Sequence, residues 1–391
     1  MRTIYTGIDI GTYHVKVVIA APPERPDLPL QILGTGTATS KGMRQGYIIS
    51  APEVTRSIRE AVTRASQAAG VQVRRARVGI GGVGLDEIRS TGDVTLTTSG
   101  GIVEERDIER ALRESEKKAS SKLLNRSIIH TLPLAFRVDG TPVFGRVQGW
   151  HGTKLSVDTL IVTGLSQHYD DLIEAVESAG IEVERDGVMA SPLAASLVTL
   201  TKAQKTAGVV LANIGAETLS IAVFENDMPI SVKVLPSGSA EVTNQIALSF
   251  KIPLSEAEQL KRGAVTGSTI SISKVEAAIN SKLKNSSNLV NAHLKEIGHQ
   301  KMLPAGIVIT GGGSGLTSAT EIARATMQLP SQIGMPLFAT RAASVDATWA
   351  VAYGLCRWGY AVDNSVDDHT MGGVVKGGFD RVRNWFRMLL P

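Results

Sequence analysis

Two stretches roughly two hundred residues apart have the residue types and spacing to grip an anion. The first runs from Gly7 through Asp9, Gly11, Thr12 and Tyr13 to Lys16 and Val18, with β-branched residues on both sides of a Gly-Thr turn. Glycine lets such a turn approach an anion closely, so its backbone N–H groups can point at phosphate oxygens. A carboxylate repels phosphate, so the natural partner of Asp9 is a hydrated Mg2+. Lys16, one strand further on, is placed to reach the same phosphates. The second stretch, Val209 to Val223, repeats the layout: Asn213 takes the place of Asp9 and Gly215 that of Gly11, followed by Ala216, Glu217 and Thr218. A third, Ile307 to Leu316, reads as a buried strand entering a turn of Gly311, Gly312, Gly313 and Ser314 before a helix. That order suits close approach of backbone to a nucleotide.

The elements that must hold these turns are legible around them. The run Ile230–Leu235 reads as a strand ending at Ser237 and Gly238, where a helix opens with its N-terminus suited to phosphate. Ser50 with Glu53, Ser255 with Glu258 and Ser273 with Glu276 have the spacing of capping boxes. Val54, Ile58, Ala61, Val62 and Ala65 recur at helical spacing and Gly70 stops that helix. Tyr169, Leu172, Ile173 and Val176 form another helical face, and residues 346–358 read as an apolar closing helix. A long helix carries Val275, Ile279, Leu283, Leu289, Val290, Leu294 and Ile297, lysine-rich on its other side.

Composition narrows the function classes. A chain of 391 residues with 43% hydrophobic residues can bury two cores and is not a disordered protein. The single Cys356 rules out a disulfide framework and favours a reducing compartment. No signal-peptide core and no membrane-spanning run is expected. The net charge of +4 is modest, and aromatics at 4% are too sparse for a stacking platform, so no nucleic acid is expected as a partner.

Residues 86–162 differ in character: Thr-rich extended runs, a charged helix from Glu104 to about Lys122, then more strand. They read as a compact inserted module in which His130 and His151 are structural or loop histidines. At the other end, a stretch of linker composition (361–373) precedes residues 374–391. Stepping 100° per residue puts Val375, Phe379, Val382, Trp385, Phe386, Leu389 and Leu390 on one arc of about 140°. Lys376, Asp380, Arg383 and Arg387 take the opposite side, the pattern of a basic helix lying in the plane of an anionic membrane surface. One such anchor is marginal, but many presented on a polymer bind through effective concentration. The linker reaches about 20 Å as a coil.

The order and spacing of the three glycine turns resemble the actin, Hsp70 and sugar-kinase superfamily. The resemblance covers most of the chain. It implies an α/β fold of two RNase H-like (actin-fold) domains around a central nucleotide cleft, with an inserted α+β module and a C-terminal amphipathic helix. The module and the basic tail resemble FtsA, the bacterial cell-division actin homologue, as do the 130–152 region, Gly238 with Thr243, the 257–261 segment and the Gly311–Ser314 turn.

Similarity to that family implies four subdomains: IA over 1–85, 163–204 and 336–360, IC over 86–162, IIA over 205–250 and 302–335, and IIB over 251–301. It implies ATP with Mg2+ in the cleft, head-to-tail self-assembly, and docking of the FtsZ C-terminal peptide on IIB. It also implies a peripheral place on the cytoplasmic face of the membrane at the division site. Carried over residue by residue, Asp9, Gly11, Thr12 and Lys16 match the first phosphate motif, and Gly215 and Thr218 the second. Glu258 and Lys261 resemble the pair that holds ribose and base, and Gly312, Gly313 and Ser314 the adenosine loop.

Two departures bear on chemistry. Asn213 replaces the usual aspartate, and an amide neither acts as a base nor holds a hydrated cation as firmly as a carboxylate. Ser191 stands before Pro192, where the chaperone branch has a glutamate that orients the attacking water. Weak or absent ATP turnover is therefore expected. A small-molecule kinase would need a catalytic aspartate facing an acceptor hydroxyl, and none stands out near the turns. A pilus-assembly protein resembling PilM shares the inserted module, but that family generally lacks a basic amphipathic tail.

Overall fold

The computed structural model describes residues 3–25, 28–97, 100–263, 270–316, 318–336 and 346–367. The chain opens with β1 (Tyr5–Ile10), β2 (His14–Ala21) and β3 (Gln31–Thr39), an antiparallel meander. A two-residue hairpin, β4 (Met43–Arg44) and β5 (Tyr47–Ile48), leads to α1 (Ala51–Ala69) and then β6 (Arg75–Ile80), which pairs parallel to β1. An insertion follows: β7 (Asp86–Thr95), α2 (Glu105–Ala119), β8 (Arg126–Val138), β9 (Thr141–Val143) and β10 (Lys154–Leu165). The first lobe resumes with α3 (Ser166–Ser178), β11 (Glu182–Ala190), α4 (Ser191–Thr199) and α5 (Lys202–Ala207).

The second lobe repeats the meander with β12 (Val209–Ile214), β13 (Leu219–Glu225) and β14 (Met228–Leu235). Helices α6 (Ser239–Phe250), α7 (Leu254–Lys261) and α8 (Ile272–Glu296) follow, then β15 (Ile307–Thr310), α9 (Ala319–Met327), β16 (Ser331–Ile333) and α10 (Ala350–Asp367). The two main sheets have equivalent orders, β3-β2-β1-β6-β11 and β14-β13-β12-β15-β16. In each, the first strand after the lobe begins lies at the centre, antiparallel to one neighbour and parallel to the other.

Side-chain alternation explains how the lobes join. On β12, Val209 and Leu211 face the first core, with Ala222, Phe224 and Val308, while Val210, Ala212 and Ile214 face a second core under α6, α8 and α9. The second sheet is therefore buried on both faces, and one face belongs to the core shared with α4 and α10. Burying a Leu, Val or Phe there contributes about 1.5–3 kcal/mol. The fully buried Tyr353 of α10 donates its hydroxyl to the Leu30 carbonyl at 3.1 Å, which removes the cost of an unpaired polar group. The insertion keeps its own core of Val94, Leu112, Phe136, Val138, Leu155 and Val157.

Several local expectations are corrected. None of the three anticipated capping boxes forms: Ser50 makes no side-chain cap, α7 starts after Pro253, and α8 starts after Ser271. Glu258 instead turns toward Thr243, Lys261 and Arg262. Reciprocal capping occurs at Thr201 and Gln204, where the Thr201 N–H donates to Gln204 Oε1 at 2.8 Å. Leu289 is exposed although its helical neighbours are buried. The expected linker does not start at residue 361, because α10 continues to Asp367. Arg77 explains the extension: its guanidinium bridges Glu184 at 2.6 Å and Asp363 at 3.9 Å and stacks over Trp358, holding that turn to the sheet. The tail residues Val375, Phe379, Val382, Arg383, Trp385, Phe386, Arg387, Leu389 and Leu390 lie outside the described residues. Among the described residues no helix is long and apolar enough to cross a membrane.

Candidate functional site

The first turn is tied by the Gly11 amide donating to the His14 carbonyl at 3.1 Å, and the second by the Gly215 amide donating to Thr218 at 2.8 Å. The same four-residue turn therefore ends both central hairpins. Among the described residues, no acceptor meets the amides of Thr12 and Tyr13 or of Ala216 and Glu217. Four backbone donors are thus left at the turn tips, the arrangement that receives phosphate oxygens elsewhere.

Asp9 lies across the hairpin from Lys16 and beside Gly79 of the parallel strand. Burial pushes its carboxyl above the usual range, and the Lys16 ammonium partly offsets this. A cation brought to that carboxylate would favour its ionised form, the condition a hydrated Mg2+ supplies. Among the described residues there is no cluster of three or more His, Cys, Asp or Glu suited to a metal, so the donor set fits a metal held mainly by water and phosphate rather than a protein cage. At the first turn His14 is held below its ordinary pKa by burial, then by the positive charges of Lys16 and Arg262. The neighbourhood of the turn is electropositive.

Asn213 occupies the equivalent place in the second sheet, between Ser220 and Thr310. Gly311 folds over it with φ of 84°, and a Cβ there would stand 2.1 Å from Asn213 Oδ1. Glycine is required both for the left-handed backbone and for the space. Gly312 and Gly313 continue into one turn of 3-10 helix, and the Ser314 hydroxyl donates back to the Gly311 carbonyl at 2.7 Å. The Thr310 hydroxyl and the Gly311 amide both bond the Ala347 carbonyl, just before α10, so this loop rests on the start of the closing helix.

Gly238 does something other than expected. The amides of Ser239 and Ala240, which open α6, donate to the carbonyls of Gly215 and Ala216 at 2.9 and 2.7 Å. These N-terminal donors are spent on buttressing the second turn and are not left for a phosphate. Gly238 is there because any Cβ would stand 2.3 Å from the Ala216 carbonyl oxygen.

Glu258 and Lys261 are brought together on α7 at 2.6 Å, and Lys261 also donates to Thr243 Oγ1 and to the Ser239 carbonyl. Burial alone would raise the Glu258 carboxyl, but hydrogen bonds from Lys261, Thr243 and Arg262 outweigh it and hold the group ionised. Arg262, which sequence reasoning passed over, bridges the lobes. It pairs with Glu258 at 2.8 Å and reaches the Tyr13 hydroxyl at 3.4 Å, its guanidinium lying 5.9 Å from the Tyr13 ring centre. Its signal was the four-residue spacing from Glu258, an ordinary helical ion pair.

The second turn tip crosses in the opposite direction. Glu217 accepts from the Gln45 amide at 2.6 Å, which directs its carboxylate to the first lobe. Gln45 and Gly46 both have positive φ, as a two-residue hairpin turn demands, and this presents the amide. No side-chain pattern could have announced it. Ser191 lies buried beside Gly79, its hydroxyl 3.0 Å from where a Cβ of that glycine would stand, and so one strand from Asp9. His130 accepts from the Ala190 amide and His151 lies by the Gly100 carbonyl, structural places for both.

Comparisons with known proteins bear on this arrangement. Residues 210–354 match the family model described as cell division protein FtsA, and residues 82–163 match the SHS2 domain inserted in FtsA. Together these matches take in more than half of the chain. The cell division protein FtsA of Pseudomonas aeruginosa is 29% identical over 84% of this chain and 82% of its own. The Bacillus subtilis protein of the same name is 27% identical over 85% and 79%, and that of Escherichia coli K12 is 24% identical over 92% and 90%. Among solved structures, a PilM-PilN type IV pilus biogenesis complex superposes with a TM-score of 0.68 at 19% identity, covering 92% of this chain and 99% of that one. MreB5 of Spiroplasma citri bound to ADP gives 0.51 at 12%, covering 94% and 99%. Both likenesses concern the fold alone, which is the two-domain actin fold. The two family matches, one of them to the inserted domain itself, select within that fold: the chain belongs to the FtsA family of actin-like cell division proteins.

Proposed function

We propose that this cell division protein binds ATP with Mg2+ between its two turns, assembles head to tail, and tethers FtsZ filaments to the cytoplasmic face of the membrane at the division site. The observation that carries the nucleotide reading is the pair of equivalent turns whose tip amides meet no acceptor among the described residues, each tip tied to the opposite lobe. In this reading the amides of Thr12, Tyr13, Ala216 and Glu217 hold phosphate oxygens, with Gly11, Gly215 and Thr218 shaping the turns. Lys16 adds charge, and Asp9 holds Mg2+ through water. The metal, when bound, would neutralise part of the phosphate charge. Glu258 and Lys261 face the ribose and base, and Gly311 to Ser314 line the nucleoside. Gly238 supports the second turn from behind.

Turnover is expected to be weak. Hydrolysis needs a water held in line by a suitable group, and the two places where one would stand carry Asn213 and the Ser191 hydroxyl. Binding then serves mainly to set the relation of the lobes in an assembling subunit. The partner peptide of FtsZ is assigned to the 251–301 region and membrane attachment to residues 374–391, whose residues Val375, Phe379, Val382, Trp385, Phe386, Leu389 and Leu390 form the apolar side and Arg383 and Arg387 the basic one. A single tail holds marginally, and an assembled row of tails holds firmly.

Co-sedimentation with anionic liposomes, with and without ATP, compares the full chain with one truncated before Val374. The full chain is expected to pellet in ATP and the truncated one to stay in solution. Equal pelleting would refute tail anchoring. Retention of a fluorescent ATP analogue separately tests the cleft.

A further inference from the structure

The inserted module touches the second lobe at an edge that would otherwise be open. Strand β14 ends the second sheet and β7 ends the module sheet, yet the two are not paired as strands. Their contact is made by side chains. Glu87 of β7 accepts from the Val232 amide at 2.5 Å and from the Ser231 hydroxyl at 2.9 Å, and Arg89 donates to the Ile230 carbonyl at 2.8 Å. Residues 87 and 89 share one side of β7, and they meet 232 and 230 in the reverse order. A carboxylate and a guanidinium thus stand in for the N–H and C=O partners that a neighbouring strand would offer.

Behind the edge, Ser231 is fully buried and its oxygen lies 2.7 Å from His293 Nε2 on α8. A hydroxyl has one proton, and Ser231 gives it to Glu87. His293 must then donate its Nε2–H to Ser231, which leaves Nδ1 buried with no hydrogen bond among the described residues, 3.5 Å from Glu296. Glu296 also lies 3.9 Å from Lys233 of β14. The carboxylate of the module, the edge strand and the long helix form one chain of polar contacts. Its hydroxyl is sealed from solvent, so the Ser-His-Glu sequence has no access to a substrate and no hydrolytic role.

We propose that Glu87 and Arg89 latch the module onto β14, and that Ser231 and His293 carry the state of the latch to α8, so that module orientation and the seating of α8 change together. The grip is specific to one module position, because the two side chains must meet two backbone groups in register. Opening it strands Glu87 and the Val232 amide, and water must take over both. The consequence is a molecule in which a partner pressing on α8 and a neighbour pressing on the module act on the same contact.

The test places spin labels on Thr141→Cys of β9 and Asn285→Cys of α8, both exposed in the native chain. Native Cys356 is buried and its thiol is pushed up to about 12, so the introduced cysteines are the reactive ones. The native latch is expected to give one narrow distance distribution. Glu87→Ala is expected to broaden or shift it, Arg89→Ala to do so less, and Glu87→Gln, which keeps one acceptor oxygen, to fall between. Circular dichroism confirms folding, and Glu87→Gln serves if the alanine variant does not fold. A distribution unchanged in every folded Glu87 variant overturns the latch. Hydrogen exchange reads the second half: Ser231→Ala keeps the two backbone contacts but cuts the relay, so the amides near His293 are expected to exchange about tenfold faster at native label distance. Native exchange there overturns the coupling to α8.

Discussion

The two lobes place the same hairpin at the centre of the same sheet and equip it differently. In the first, Asp9 faces Lys16 and Gly79; in the second, Asn213 faces Ser220 and Thr310. The first turn has a carboxylate and an ammonium beside it and, among the described residues, no helix N-terminus donating to it. The second has a neutral amide, and its carbonyls are held by the opening of α6 and its strand end by the Gly311 loop. At the strand ends the charged pair stands on one side, and the mechanical support stands on the other. The repeated element is thus split into an electrostatic half and a rigid half.

The largest expected effect breaks the rigid half. Gly238→Ala must move the second turn, since its Cβ would stand 2.3 Å from a backbone oxygen. It is expected to destabilise the protein by about 2–4 kcal/mol and to abolish retention of a fluorescent ATP analogue. Gly312→Ala is the matched control, because the nearest atom to its Cβ is a Thr348 methyl at 3.9 Å. Its melting temperature should stay close to native.

Next comes the electrostatic half. Asp9→Asn should make the two turns alike and weaken Mg2+-dependent nucleotide affinity by about tenfold, about 1.4 kcal/mol, measured by titration with and without the metal. The reciprocal Asn213→Asp should strengthen the metal dependence by a smaller factor, and an unchanged Mg2+ dependence in both variants would argue against the division of labour. The ties across the cleft give a smaller effect. Arg262→Ala removes the contact to Tyr13 and one partner of Glu258, so the analogue should leave a few-fold faster, whereas Tyr13→Phe loses only the hydroxyl and should lie nearer native.

The smallest effect concerns pH. His168 in the first lobe and His293 in the second are both held below the ordinary histidine pKa, chiefly by burial. A depressed folded pKa means that their stabilising share is whole above about 6.5 and is lost as pH falls through the folded value. Melting temperature should therefore decline as pH drops below 6.5, and His168→Gln and His293→Gln should each flatten that decline.

Much of this was written locally. Strand, turn and strand around Gly11 and Gly215, and the glycine turn after Thr310, are set by residue type, because β-branched runs favour extended backbone and glycine permits the turns. The repeat at two hundred residues' distance announced two similar lobes. The box of Ser255 and Glu258 failed for a physical reason: Glu258 had stronger partners in Lys261, Thr243 and Arg262 than the end of its own helix.

What the sequence alone determined, then, was the chemistry available at each turn and the periodicity of the elements carrying it. What tertiary structure decided was which groups spend their bonds on one another. Gly238 became a spacer because α6 lies on the second turn, Glu217 became a tie because a main-chain amide at Gln45 faces it, and residues 361–367 stayed helical because Arg77 reaches Asp363. A hydrogen bond between residues distant in the chain depends on geometry that only the packed cores fix, and a backbone donor has no side chain to declare it.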